Sequence, residues 1–301
     1  MLINHRNNDD FLELLRRNEV PIGKGIGTDL DTYLRFKEAS FNIVLGHANT
    51  GKTYFVLYYL LCLSVKHSLK HLIYSAENTV TGMKRNLIEL YLGKKITEMD
   101  KQELETAKLF IELHFDFIDT SEAWAIEKFM QEVQRLGNYD VLMIDPHNSF
   151  VRPQGFNAHD YDYTIATKLR LFAKKTNTTI YLCVHAATEA LRKTHKEGDF
   201  EGHPMPPNMA DAEGGGKWGN RADDFIVIHR YVADSLNWMY THVHVKKVKE
   251  TETGGKPTPL NDAVRFKYEY GTGFTCAGVN PLELKDERFD LKRNTNFDLP
   301  F

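Results

Sequence analysis

The stretch NIVLGHANTGKT, residues 42–53, decides the fold. Its first five residues, Asn42–Gly46, are apolar enough to read as a buried strand. The eight residues from that glycine on, Gly46-His47-Ala48-Asn49-Thr50-Gly51-Lys52-Thr53, fit the pattern GxxxxGK[ST]. That pattern is meaningful when it follows a strand and opens a helix, and the run TYFVLYYLLCLSV at 53–65 supplies the helix. Gly46, Asn49, Thr50 and Gly51 let backbone N–H groups turn toward phosphate oxygens, and the helix N-terminus adds positive potential. Lys52 is placed to reach the β- and γ-phosphates of ATP, and Thr53 to hold Mg²⁺ through its hydroxyl.

Working outward, apolar runs alternate with helical periodicity. Strands are predicted at His71–Glu77, His114–Asp119, Asp140–Asp145 and Thr179–His185, with helices at 51–65, 80–93, 97–113, 122–136 and 161–176. Continuously apolar strands separated by helices belong to a parallel sheet covered on both faces. Beyond residue 222 the helices stop. Strands are predicted at Asp224–His229, Thr241–Lys249 and Ala263–Tyr270, the last two joined by a turn at Gly254-Gly255. The expected fold is thus α/β, a mostly parallel central sheet with antiparallel strands added at the C-terminal edge.

Two further strands end in groups a phosphate loop needs. DVLMID ends in Asp145, an acid after four apolar positions, suited to complete a Mg²⁺ site. HLIYSAE ends in Glu77, a candidate for orienting the attacking water. TIYLCVH ends in His185, which could sense the γ-phosphate and pass the signal to a following loop.

Composition bounds the rest. The chain has 301 residues, 38 Lys plus Arg against 41 Asp plus Glu, and a net charge of −3. This excludes a polybasic nucleic-acid binder, so any such contact must come from a local patch. Hydrophobic residues at 42 % exclude a disordered tail. Cys62, Cys183 and Cys276 lie among apolar residues without a CxxC pair, so buried free thiols are expected. Asp9 and Asp10 stand where a secretory leader would be apolar, and the apolar run 54–65 is far short of the roughly 20 residues a membrane helix needs. A cytoplasmic protein with no membrane partner is expected.

The order of these motifs resembles the RecA-like P-loop ATPase domain of DnaB-type replicative helicases, in the branch of the phage T7-type and mitochondrial enzymes. KGIGTDLDTYL (24–34) resembles the family's entry segment, IYSAEN (73–78) its strand with a catalytic Glu, LMID (142–145) its Walker B strand, and the VH ending at 184–185 its phage and mitochondrial form. DAEGGGKWGNRADDFIVIHR (211–230) resembles the glycine-containing segment before the next strand, and VHVKKVKE (243–250) the strand ending in K-x-R. The likeness covers about residues 24–272. It implies a homo-oligomeric ring, with six subunits expected, that hydrolyses ATP between subunits and moves along single-stranded DNA 5′→3′.

The resemblance also implies a residue that reaches into the neighbouring subunit's ATP site. Here the K-x-R positions are Lys247 and Lys249, and lysine lacks the planar fork of arginine. Either Lys249 acts as a weaker finger, or Arg221 or Arg230 takes over. Loops 148–162 and 187–217 would face the ring's channel, offering Arg152, Arg192, Lys193, Lys196 and Lys217 to phosphates, with Phe150, Phe156, Tyr161 and Tyr163 as stacking candidates (the two tyrosines more often packed in the following helix). The expected organisation is a linker helix within 1–22, a motor domain at 23–282 and a tail at 283–301. With no helical or primase partner domain in view, a phage or mobile-element replication module in a bacterial host is expected. The ending NFDLPF resembles the acidic, Phe-terminated tails of single-strand-binding proteins, so Phe297–Phe301 could dock on a replication partner. The alternatives are a RecA-like recombination mediator, or an ATP-gated DNA-binding or assembly protein without unwinding.

Overall fold

A computed structural model describes residues 6–155, 157–260 and 262–283. Phe156 and the tail Phe297–Phe301, singled out above, lie outside the described residues. Eight α-helices are described: α1 (Arg6–Arg17), α2 (Lys52–His67), α3 (Val80–Leu92), α4 (Lys101–His114), α5 (Ile126–Leu136), α6 (Ala158–Thr176), and the short α7 (Lys217–Arg221) and α8 (Thr251–Gly254). They pack with strands β1 (Phe41–Gly46), β2 (His71–Ser75), β3 (Phe115–Phe117), β4 (Val141–Asp145), β5 (Thr179–His185), β6 (Asp224–His229), β7 (Tyr240–Lys247), β8 (Val264–Tyr268) and β9 (Phe274–Cys276).

The described strands form one sheet in the order β3-β2-β4-β5-β1-β6-β7-β8-β9. β3 through β6 run parallel, and β7, β8 and β9 continue antiparallel. Alternation along each strand fills two hydrophobic layers. On β1, Phe41, Ile43 and Leu45 face a layer closed by α5 and α6, while Val44 faces a layer closed by α2, α3 and α4. This explains why the strands are apolar without a polar stripe. α2 is itself buried from Phe55 to Ser64, so its apolar run is a core helix. No described helix is long and apolar enough to cross a membrane. The three cysteines are buried and none of them is in a disulfide.

Several boundaries differ from the sequence expectation. β2 stops at Ser75, leaving Glu77 in the turn before α3. β7 and β8 are not joined by a tight Gly-Gly turn; residues 248–263 intervene, with α8 inside them and Gly255 at φ +105°. β9 has only three residues and no periodic signal. The loop expected at 187–217 is an internally bridged lobe, with Thr194 paired to Pro204 and His195 to Glu201.

Candidate functional site

Because β1, β2, β4 and β5 are parallel, their C-terminal ends fall along one edge, which is where ligands bind in open α/β sheets. Gly46 on β1 is in register with His185 on β5, and Ser75 on β2 with Asp145 on β4. The four sequence candidates Lys52, Glu77, Asp145 and His185 therefore converge on this edge. Lys52, Thr53, Glu77 and His185 line a cavity of about 360 Å³ with the phosphate loop.

The loop's backbone demands its residue types. A Cβ on Gly46 would come within 2.7 Å of the Ile228 carbonyl. Gly51 has φ +78° and caps α2 without a side-chain bond, leaving the first-turn N–H groups open to an anion. Thr50 Oγ1 donates to the His47 carbonyl at 2.9 Å, which closes the loop on itself.

Lys52 is 5 % exposed. A buried ammonium needs acceptors, and it donates to the Val184 carbonyl (3.2 Å) and to His185 Nδ1 (3.4 Å). An ammonium only donates, so Nδ1 of His185 accepts and Nε2 carries the proton. That Nε2–H faces Glu77 Oε1 at 3.0 Å. Lys52, His185 and Glu77 thus form one directional chain. The Glu77 side chain is 49 % exposed, open enough to meet water.

Thr53 Oγ1 donates to Asp145 Oδ2 at 2.6 Å. Asp145 is fully buried and its Oδ1 has no hydrogen-bond partner. A buried carboxylate oxygen without a partner beside a threonine hydroxyl fits a hard divalent cation such as Mg²⁺. Among the described residues no group of three or more His, Cys, Asp or Glu could hold a metal ion. Burial, followed by the nearby Asp145 charge, pushes the Cys183 thiol up, so it stays neutral.

Other candidates are placed differently. Arg230 lies beside this chain's own phosphate loop: a Cβ on Gly51 would sit 3.3 Å from its Nη1. Its guanidinium donates to the Trp238 carbonyl and lies 5.3 Å from the Tyr268 ring centre. Lys247 donates to the carbonyls of Gly219 and Ala222 at 2.8 and 2.7 Å, closing the C-terminus of α7, so it is not free to act in trans. Lys249 stands at the sheet edge opposite the phosphate loop, 46 % exposed and 3.5 Å from Asp223. Arg221 lies over the Tyr163 ring at 4.3 Å.

Among the proposed polymer contacts, Arg152, Arg192, Lys193 and Lys196 are exposed. Lys193 is paired with Asp211. Lys217 is buried and paired with Asp162 at 3.1 Å, so it is withdrawn from that set. Phe150 is also withdrawn, because it packs against Tyr74 and Phe129 in the core. Tyr161 is buried and donates to the Val151 carbonyl, as the packing alternative expects.

Fold and site together define a RecA-like P-loop ATPase domain. The chain belongs to the AAA domain family, which matches residues 34–190. It is 22 % identical over 245 residues to the Twinkle homolog protein, chloroplastic/mitochondrial, of Arabidopsis thaliana, covering 75 % of this chain and 33 % of that protein. The chain therefore spans about a third of that relative's length. Among solved structures it is similar to an ATPase domain (TM-score 0.72, 14 % identity, 91 % of this chain and 99 % of that one). It is also similar to a DnaB-like replicative helicase described with its primase interactions (TM-score 0.69, 15 % identity, 91 % and 67 % covered). A KaiC-like protein of Pyrococcus horikoshii is more distant (TM-score 0.53, 14 % identity, 85 % and 97 % covered). The fold is that of the DnaB-type RecA-like domains.

Proposed function

We propose that this chain is the motor domain (residues 23–282) of a ring-forming, ATP-driven DNA helicase that moves along single-stranded DNA, 5′→3′. The observation that carries the reading is the Lys52–His185–Glu77 chain at the phosphate loop, with the 186–212 lobe hung directly from His185. Glu77 is positioned to accept a proton from water attacking the γ-phosphate. Lys52 and the open N-terminus of α2 bind phosphate. Mg²⁺, held by Thr53 and Asp145, would neutralise charge on the phosphates.

A γ-phosphate arriving at Lys52 competes for the ammonium that His185 Nδ1 now accepts from. Withdrawal of that donor frees His185 to reorient, and His185 leads into the lobe bearing Arg192, Lys193 and Lys196. Nucleotide state is thereby transmitted to a basic surface suited to a polymer backbone without sequence readout. Lys249, with lysine where the family motif has arginine, acts on the adjacent subunit once assembly draws it from Asp223. α1, rich in exposed Phe11, Leu12 and Leu15, serves as linker, and the tail as a docking segment for a replication partner.

The test is ATP hydrolysis with and without oligo-dT, using Lys52→Ala and Glu77→Gln as controls, with native mass spectrometry for ring formation. Stimulation by single-stranded DNA supports the motor. ATP binding with slow turnover that DNA leaves unchanged favours the gated-assembly alternative, for which a lysine in the finger position is the motivating feature.

A further inference from the structure

The lobe after β5 is closed at its base and touches the phosphate loop at its far end. At the base, Ala186 pairs with Ala212, and the Glu213 N–H donates to the His185 carbonyl at 2.8 Å. Across the lobe, the Met205 N–H donates to the Lys193 carbonyl at 2.8 Å. At the far end, the Met205 carbonyl lies 3.4 Å from His47 Nε2. His47 is the second residue of the phosphate loop and is 4 % exposed. A carbonyl only accepts, so Nε2 of His47 carries the proton and donates.

A second, parallel link runs through rings. His47 meets His229 edge-on at 5.9 Å, His229 meets Tyr231 at 4.6 Å, and Tyr231 stacks on Phe200 of the lobe at 3.7 Å. His229 is 2 % exposed and neither of its ring nitrogens has a partner. A buried polar group left unsatisfied is costly and calls for a reason.

We propose that His47 is a positioning residue that makes the phosphate loop and the 193–211 lobe one mechanical unit, so that nucleotide occupancy is felt by the lobe through His47 as well as through His185. The inference rests on the site binding a nucleotide, as proposed above. Thermodynamic coupling is reciprocal: if nucleotide orders the lobe by some factor, disordering the lobe weakens nucleotide binding by up to the same factor.

Arg192, Lys193 and Lys196 are exposed, so trypsin reports on the lobe without any DNA. With Mg²⁺ and adenylyl-imidodiphosphate at saturation for each protein, cleavage between 192 and 196 slows about fivefold in the wild type. In His47→Leu the nucleotide dependence falls to the part carried by His185, well below the wild-type effect, and His47→Gln, which keeps an N–H donor, restores it. Phe200→Ala, remote from the phosphates, speeds cleavage and weakens the analogue about fivefold. Wild-type protection in His47→Leu, or unchanged analogue affinity in Phe200→Ala, overturns the proposal. If His47→Leu does not fold or bind, the Phe200→Ala arm decides alone. A wild type that binds the analogue with no change in cleavage overturns the coupling only, whereas one that binds no nucleotide overturns the function proposed above and the coupling with it.

Discussion

His185 Nε2 lies 3.0 Å from Glu77 Oε1, and its other ring nitrogen is held by Lys52. One imidazole therefore joins the phosphate-binding ammonium to the carboxylate proposed to orient water. Its tautomer is set by Lys52, because only Nδ1 can accept from an ammonium. Replacing Glu77 by Gln keeps the shape and removes the base. Phosphate release should fall about 100-fold or more, with binding of a fluorescent ATP analogue retained. Equal loss of binding and turnover would assign Glu77 to ground-state binding instead.

Lys52→Ala removes the ammonium from a buried position and leaves the Val184 carbonyl and His185 Nδ1 without their donor. Nucleotide affinity should drop at least tenfold. The rise in melting temperature that Mg²⁺–ATP gives the wild type should vanish with it, because ligand stabilisation follows RT ln(1 + [L]/Kd). Differential scanning fluorimetry with and without nucleotide measures both.

The buried histidines of β6 and β7 make the fold acid-sensitive. Burial holds His229 down to about 3, His242 to about 4 and His244 to about 3, with neighbouring histidines pushing His229 and His244 further down and Arg265 and Lys246 adding to the effect on His242 and His244 respectively. The unfolded value is near 6.5. Their folded pKa is depressed, so the folded state favours the neutral ring. Stability is then full above about pH 6.5 and falls as pH drops through 6 and 5. For His229 alone the loss at pH 5 is at most about 2 kcal/mol. The melting temperature should fall between pH 7.5 and 5, and His229→Phe should flatten that fall. A melting temperature that does not change over this range would contradict the neutral, buried cluster.

Lys249→Ala separates a finger from a surface charge. Lys249 is half exposed and 3.5 Å from Asp223, a carboxylate that keeps Arg170 at 2.7 Å, so the variant should melt near the wild type. Its DNA-stimulated turnover should nevertheless fall tenfold or more. Lys247→Ala should do the reverse, lowering stability because two carbonyls at the end of α7 lose their donor. Unchanged turnover in Lys249→Ala would remove it from the neighbour's site.

Much of this site was legible because its determinants are local. GHANTGKT carries its own strand, turn and helix start, and Asp145 closes an apolar run of four residues and His185 one of five. Parallel order then brings strand ends together without further information. What was not legible depends on contacts between distant residues. Nothing near Lys217 in the sequence indicates that Asp162 buries it, and nothing near Arg230 places it against Gly51. His47 and Met205 are 158 residues apart, so no spacing rule joins them. β9 was missed because three residues cannot show a period. The join between β7 and β8 was misjudged because Gly254-Gly255 is a strong turn signal by composition, yet it ends the one-turn helix α8 within a longer connection.

The most direct test of the account is unwinding of forked duplex DNA, with a single-stranded tail of each polarity, by the wild type and by Glu77→Gln. The account predicts ATP-dependent strand separation by the wild type that needs the 5′ tail, and none by Glu77→Gln although it still binds ATP and DNA. Vigorous DNA-stimulated ATP hydrolysis without separation of either fork would contradict a helicase motor.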